Sequence, residues 1–241
     1  MKIKNNWFKG KKLKCVILAA GRGSRLLTLT DNNPKPMVNV VEKPILEHVI
    51  NYWKNYTDDF NFVVNYKKDK IIDYVQKFKG VNHEFVVQKE LKGIAHALLS
   101  VEEIVEDKFI VVLGDCICKG DFDFPAKMSQ GVGIWRTKNI KDIKNSYTVK
   151  IKNNLVSRVK EKPKRVYNNY CGLGFYFFDK RIFNYVRKTQ PSELRGEIEL
   201  TDVIQNMIKG KEKISPVMFN GNYININTED ELNRARKIIS I

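Results

Sequence analysis

The sequence is short of cysteine, of long apolar runs and of carboxylates to match its basic residues. Each shortage excludes something. Four cysteines (Cys15, Cys116, Cys118 and Cys171) in 241 residues are too few for a disulfide framework. Cys116 and Cys118 form a lone C-x-C, with no further ligands in view for zinc. No apolar run approaches the ~20 residues that a membrane span needs. The opening MKIKNNWFKGKKLK is basic but lacks the apolar stretch of a secretory signal, so none is expected. A transit peptide stays open, although serine is absent from that segment. There is no internal repeat and no low-complexity linker. A cytoplasmic location is expected.

Asp and Glu number 27 against 43 Lys and Arg, a net charge of +16. Such a surplus admits nucleic-acid binding. The basic residues are scattered along the whole chain, however, and no DNA- or RNA-binding module is recognisable. An anionic small substrate drawn in by the general field fits better. No nucleic acid and no membrane is expected as a partner, and a homo-oligomer is allowed. Hydrophobic residues make up 43%, enough for a sizeable core, and the length suits one large α/β domain or a domain with a small subdomain.

What the sequence does have is organised around residues 14–37, KCVILAAGRGSRLLTLTDNNPKPM. An apolar run at 15–20 reads as a buried parallel strand. It empties into Gly21-Arg22-Gly23-Ser24, where backbone N–H groups stand clear of side chains and suit phosphate oxygens. Arg25 and Lys35 bring positive charge to the same place. The dinucleotide fingerprint fails, because Leu26 holds the third glycine position, and no G-K-[ST] follows as a P-loop would require. A plain structural turn remains the alternative.

Strand and helix then alternate. Strands are expected at 37–40, 60–64, 83–87 and 109–113, and helices at 44–56, 69–78 and 93–105. That order argues for a doubly wound, mostly parallel sheet. Ligands of such sheets bind beyond the carboxyl ends of strands, so Gly21, Gln88 and Asp115 should converge. Beyond residue 120 the pattern loosens. A strand is expected at 131–136, and a hairpin at 147–151 and 155–160 about Asn153-Asn154. Further strands are expected at 171–178 and 214–219, with helices at 179–187 and 201–208. A last helix opens at Thr228 with Glu231 three residues on, a capping box.

Several clusters suit chemistry. Asp115 follows FIVVLG, and a carboxylate beside a phosphate loop suits Mg²⁺, although it could also cap a turn. Gln88 offers a paired donor and acceptor that matches a pyrimidine edge, and Gly93 would let backbone approach the base. Glu161-Lys162-Pro163 reads by itself as a surface charge pair.

In order and spacing, these motifs resemble the sugar-phosphate nucleotidyltransferases, which include glucose-1-phosphate thymidylyltransferases and N-acetylglucosamine-1-phosphate uridylyltransferases. The family pattern G-x-G-[ST]-R-L-x-P-x-T-x-x-x-P-K-P keeps Gly21, Gly23, Ser24, Arg25, Leu26, Thr30, Pro34, Lys35 and Pro36, and departs at Thr28. Gln88 to Ala97 resembles Q-x-x-x-x-G-x-A-x-A. Arg195-Gly196-Glu197 with Glu199, Thr201 and Asp202 resembles R-G-E-x-E-x-T-D. Residues 221–228 resemble G-x-W-x-D-x-G-T, with Asn225 where many members have a second metal-binding aspartate.

The resemblance implies a Rossmann-like domain over 1–241, with a nucleotide-binding half at 1–120 and an acceptor-binding half at 121–241. It implies transfer of a nucleotidyl group from an NTP, a pyrimidine NTP by Gln88, to a small phosphorylated acceptor, most simply a sugar 1-phosphate. Arg25 and Lys35 would be catalytic, holding the triphosphate. Ala19, Ala20, Gly21, Gly23, Ser24, Gln88, Gly93 and Asp115 would bind the nucleotide. Tyr147, Glu161, Lys162 and Glu197 would bind the acceptor, while Asp115 and Asn225 would hold Mg²⁺. Thr148, where glycine is frequent, departs from the acceptor pattern. His96 is expected to pack near the nucleotide, because an acceptor phosphate needs no base. Two other readings stand beside this one: a CTP-dependent enzyme for a choline- or amino-acid-type phosphate, and a non-catalytic nucleotide-sugar-binding subunit. The 241 residues hold no left-handed helix repeat, so no fused acetyltransferase is expected.

Overall fold

Residues Lys14–Leu18 form β1, whose centre is wholly buried. Its alternate side chains enter different cores, Cys15 and Ile17 one and Val16 the other. Both faces of the strand are therefore covered, which is why the run does not alternate with polar residues. A computed structural model describes residues 13–21, 23, 26, 28–193 and 196–240.

Beyond β1, α1 is one turn at Thr28–Asp31, and a 3-10 turn spans Lys35–Met37. The expected strand at 37–40 is cut short, because the Met37 N–H donates to the Pro34 carbonyl at 2.8 Å and closes that turn. Only Asn39–Val40 (β2) is extended, paired with Lys43–Pro44 (β3). Helix α2, Ile45–Trp53, buries Ile45, Leu46, Val49, Ile50 and Trp53 along one stripe. Then follow β4 at Asp59–Val64, α3 at Lys68–Gln76 and β5 at Asn82–Val87. Helix α4 covers only Ile94–Leu99, not the expected 93–105. Past it the bonds tighten, with Val101 N–H donating to Leu98 and Ile104 to Val101, each at 3.1 Å. Val101 and Val105 stay buried, so the apolar spacing survives the change of hydrogen bonding.

Strand β6, Lys108–Leu113, is followed by β7 at Cys116–Asp123, β8 at Gln130–Arg136 and α5 at Ile140–Asn145. The hairpin is β9, Tyr147–Lys152, with β10, Leu155–Glu161. The chain ends with β11 at Tyr170–Asp179, α6 at Arg181–Lys188, α7 at Leu200–Lys209, β12 at Ile214–Asn225 and α8 at Glu229–Ser240. The capping box forms: the Glu231 N–H donates to Thr228 Oγ1 at 3.3 Å, and the Thr228 N–H to Glu231 Oε2 at 3.0 Å.

One sheet of ten strands runs through both halves, in the order β5-β4-β1-β6-β11-β8-β12-β7, with β9 joined to β11 and β10 to β9. The first four are parallel, with Ile17 of β1 between Phe62 and Val112. Strand β11 is antiparallel to both β6 and β8. Strand β12 is parallel to β8 and antiparallel to β7, so the sheet is mixed but mostly parallel. Strand β12 is twice as long as the expected 214–219, because Gly221 lies opposite Gly120 and lets the two strands pass closely. A Cβ on either glycine would come within 2.3 Å of facing backbone. Among the described residues, no helix is long and apolar enough to cross a membrane.

Candidate active site

The carboxyl ends of β1, β5 and β6 open on one side of the sheet, and backbone bonds hold their exits together. The Ala19 N–H donates to Val63 O at 2.8 Å, Gln88 N–H to Val64 O at 2.9 Å and Gly114 N–H to Leu18 O at 3.0 Å. These exits enclose a cavity of about 330 Å³, and Gly21, Gln88 and Asp115 all line it. Ala19, Ala20, Lys35 and Gly93 complete the expected nucleotide-side residues on its wall. Gly23 stands behind Lys35: a Cβ there would lie 2.6 Å from Lys35 Cβ, so only glycine leaves the lysine its place. Ser24 and Arg25 lie outside the described residues.

Gln88 is buried, and its Nε2 donates to the Glu90 carbonyl at 2.9 Å. That bond fixes the amide while its oxygen and second N–H retain capacity for a ligand. Gly93 has φ +104°, and a Cβ there would meet Glu197 Cβ and Ile198 O at 2.9 Å. The chain at 197–198 lies directly on Gly93, tied by Ile198 N–H to Lys92 O at 3.1 Å and Ala95 N–H to Ile198 O at 3.2 Å. Glu197, expected on the acceptor side, consequently lines the first cavity together with Gln88 and Gly93. His96 lies on α4, whose Ile94 and Ala97 face the cavity, and its Nδ1 is buried with no hydrogen bond among the described residues.

A second compartment of about 110 Å³ adjoins the first, sharing Asp115, Leu113 and Ile94 with it. Tyr147, Glu161, Lys162 and Asn225, the residues expected on the acceptor and metal side, line it together. The carboxylate that replaces Glu197 there is the buried Glu199, two residues on. Thr201 Oγ1 donates to Glu161 Oε2 at 3.3 Å. Tyr147 serves as a wall rather than as a donor, because its hydroxyl is bonded to Leu173 O at 3.2 Å. Burial pushes the Tyr147 and Tyr176 phenols well above their ordinary range, so both remain neutral. Lys162 has φ +38°, unusual for a residue with a side chain, and its N–H donates to Ser146 O at 2.8 Å. Strained backbone of that kind is held only where the surroundings over-determine it.

The two compartments meet at a chain of polar contacts. Lys35 Nζ pairs with Asp115 Oδ2 and donates to Asn227 Oδ1 at 2.9 Å. Asn227 Nδ2 donates in turn to Asn225 Oδ1 at 2.9 Å. Pairing of β7 with β12 sets Asn225 opposite Cys116, the residue after Asp115. Asn227 was missed in the sequence, although it repeats the asparagine two positions after Asn225. Cys116 is buried and bonded to the Tyr223 hydroxyl at 3.0 Å. Burial, then the neighbouring Asp115 charge, pushes its thiol well up.

Among the described residues, no three of His, Cys, Asp and Glu gather as a metal cage. Asp115 and Asn225 offer hard oxygen donors instead, one charged and one neutral. That set fits Mg²⁺, which takes one or two carboxylates and leaves the rest to water and substrate phosphates.

A family model described as nucleotidyl transferase matches residues 14–230. The chain is 36% identical over 229 residues to the bifunctional protein GlmU of Methanocaldococcus jannaschii, covering 94% of this chain and 54% of that one. It is 33% identical over 233 residues to UTP–glucose-1-phosphate uridylyltransferase AglF of Haloferax volcanii, covering 93% and 96%. It spans about half the length of the GlmU relatives that it matches. A structure of UDP-glucose pyrophosphorylase complexed with UDP-glucose superposes with a TM-score of 0.82 at 21% identity, over 95% of this chain and 99% of that one. That likeness speaks for the fold. A putative glucose-1-phosphate thymidylyltransferase from Bacillus anthracis superposes with a TM-score of 0.80 at 26% identity, over 93% and 94%.

Proposed function

Because the chain belongs to the nucleotidyl transferase family, we propose that it transfers a nucleotidyl group from a pyrimidine NTP to a sugar 1-phosphate, releasing pyrophosphate. The observation that carries this is the meeting of two compartments at Asp115 and Lys35. One is lined by glycine backbone and a fixed glutamine amide, the other by Lys162 and carboxylates. The name of the H. volcanii relative, a UTP–glucose-1-phosphate uridylyltransferase, supports a sugar phosphate as the acceptor.

The acceptor phosphate is already an anion, so it attacks the α-phosphorus without a general base, and pyrophosphate leaves. What the protein supplies is placement and charge. Lys162 holds the acceptor phosphate, while Glu161 and Glu199 meet sugar hydroxyls. Gln88 reads the base edge. Lys35 neutralises charge on the triphosphate, the role that the sequence also assigns to Arg25. Asp115 and Asn225 would hold Mg²⁺, which when bound would supply charge neutralisation to the phosphates.

The test is a matrix of UTP, dTTP, CTP, ATP and GTP against hexose 1-phosphates, with choline phosphate as a further acceptor, read by pyrophosphate release in Mg²⁺. Turnover is expected with a pyrimidine NTP and a hexose 1-phosphate. Turnover confined to CTP with choline phosphate would move the protein to a non-sugar acceptor. No release in any well, with nucleotide sugar still bound, would make it a binding subunit.

A further inference from the structure

The largest of the cavities described here lies away from the reaction site. It measures about 660 Å³ and sits between the β9–β10 hairpin and the loop at 163–168. Lys150, Arg158, Lys160, Lys164 and Arg165 line it, and no carboxylate does so among the described residues. Alternate residues of a strand face opposite ways. Tyr147 and Glu161 face the acceptor compartment, so their neighbours Thr148 and Lys160 face this second cavity.

The cavity is built rather than incidental. Asn168 pins the loop over the hairpin: its Nδ2 donates to Val149 O at 2.9 Å, and its Oδ1 accepts from Tyr170 N–H at 3.0 Å. The Thr148 hydroxyl donates to the same Oδ1 at 3.4 Å. A bulge at residue 157 shifts the register so that Arg158 stands directly opposite Lys150. Like charges directly opposed across strands are destabilising. None of the five cations has a carboxylate partner among the described residues to relieve this.

We propose that this basic cavity is a second anion site, separate from the reaction site, for a small ligand carrying a di- or triphosphate group. Two guanidinium forks, Arg158 and Arg165, match phosphate oxygens in bidentate geometry, and three ammonium groups add charge around them. The volume falls within the range of small-ligand pockets, ~300–1,000 Å³. Its concavity suits a compact anion better than a flat bilayer or a duplex. Tyr167 stands at the rim, 83% exposed, and offers an aromatic face on which a base can stack. The phosphate chain could thus belong to a free polyphosphate or to a nucleotide. The proposal does not depend on the transferase reading.

Titration calorimetry with tripolyphosphate, on the full chain and on the Arg158→Gln/Arg165→Gln variant, tests it. Both positions are exposed or at a loop surface, so the variant is expected to fold, and its melting temperature checks this. The expected result is that the variant loses one equivalent of tripolyphosphate relative to the unmodified protein, or binds it at least ~10-fold more weakly. A UTP arm separates the sources. Tyr167→Ala weakening UTP but not tripolyphosphate identifies a nucleotide, and an equal response to both identifies a free polyphosphate. Unchanged number and strength of tripolyphosphate binding in a folded double variant overturns the site. So does loss of phosphatidylserine-vesicle or duplex-DNA binding in that variant with tripolyphosphate binding intact.

Discussion

Lys35 and Asp115 stand 80 residues apart in sequence and form an ion pair where the two compartments join. The lysine side chain is 9% exposed and the aspartate 22%, so neither charge is fully solvated. Each partner is held by the fold on its own terms: Lys35 by the 3-10 turn after Pro34 and the space that Gly23 leaves, Asp115 by the end of β6. The pair therefore marks the point at which two separate motifs become one site.

Removing Asp115 is expected to do two things. Asp115→Ala should lower kcat by at least ~100-fold, a loss of about 3 kcal/mol in transition-state stabilisation. It should also lower the melting temperature, because among the described residues Lys35 then keeps only Asn227 for its buried charge. Adding Lys35→Met should restore part of that melting temperature without restoring activity. Pyrophosphate-release kinetics and thermal unfolding of the three variants give the answer. A near-normal kcat in Asp115→Ala at saturating Mg²⁺ removes the residue from the chemistry.

Gly93 gives a second prediction. Its φ of +104° and the contacts at 2.9 Å leave no room for a methyl group. Gly93→Ala should push the 197–198 segment off α4 and open the base side of the nucleotide cavity. A several-fold rise in KM for the NTP is expected, larger than the change in KM for the acceptor. Gln88→Ala should instead narrow the preference for pyrimidine over purine NTPs. Equal use of GTP and UTP by the unmodified protein would count decisively against the role given to Gln88.

The parallel half was legible because its strands are buried on both faces and so appear as unbroken apolar runs. The convergence of Gly21, Gln88 and Asp115 followed from strand ends alone. The hairpin was legible from Asn153 and Asn154, which take φ +53° and +58° in the turn. Strand β7 was not, because Lys119-Gly120-Asp121 looks like a loop and becomes strand only by pairing with β12. Helix α5 is polar and short, and it is set by the Asn139 side chain accepting from Lys141 N–H at 3.1 Å. The exchange of Glu197 for Glu199 depends on where the chain crosses between compartments, at Ile198, and no local pattern encodes that. Gly172 is similar: a Cβ there would lie 1.9 Å from the Tyr147 ring, a contact between residues far apart in sequence.

The buried thiols and phenols set an alkaline limit. Burial pushes Cys15, Cys116 and Cys118 well above the ordinary 9.0, and Cys171 to about 12. Tyr147, Tyr176 and Tyr223 rise likewise above 10.0. The folded state keeps these protons where the unfolded chain has lost them. Stability is then fully present below about pH 9 and falls as pH rises past the unfolded values. The urea midpoint should be level from pH 7 to about 8.5 and drop steadily above 9. A midpoint that stays level to pH 10.5 would contradict this. The same burial should leave Cys15, Cys116 and Cys171 slow toward thiol reagents until the protein unfolds.

Asn225 offers the sharpest test of the metal assignment. Its Oδ1 accepts from Asn227 Nδ2 at 2.9 Å, and Asn227 in turn accepts from Lys35, so the amide oxygen is held beside Asp115 by a relay of bonds. A neutral oxygen attracts Mg²⁺ less than a carboxylate does, and the NTP phosphates make up the missing charge. The protein without nucleotide should therefore bind Mg²⁺ weakly. Asn225→Ala should raise the Mg²⁺ concentration needed for half-maximal rate and lower kcat. Asn225→Asp should keep substantial activity, because its oxygen can still accept from Asn227 and now carries charge toward the ion. A structural role predicts otherwise. Asn225 ends β12 four residues before α8 begins at Glu229, so loss of the Asn227 bond would lower the melting temperature whatever the ion does. Measured together, the two curves separate the roles: an unchanged Mg²⁺ dependence with a lowered melting temperature in Asn225→Ala takes the residue out of the metal site and leaves Asp115 to hold the ion with the phosphates alone.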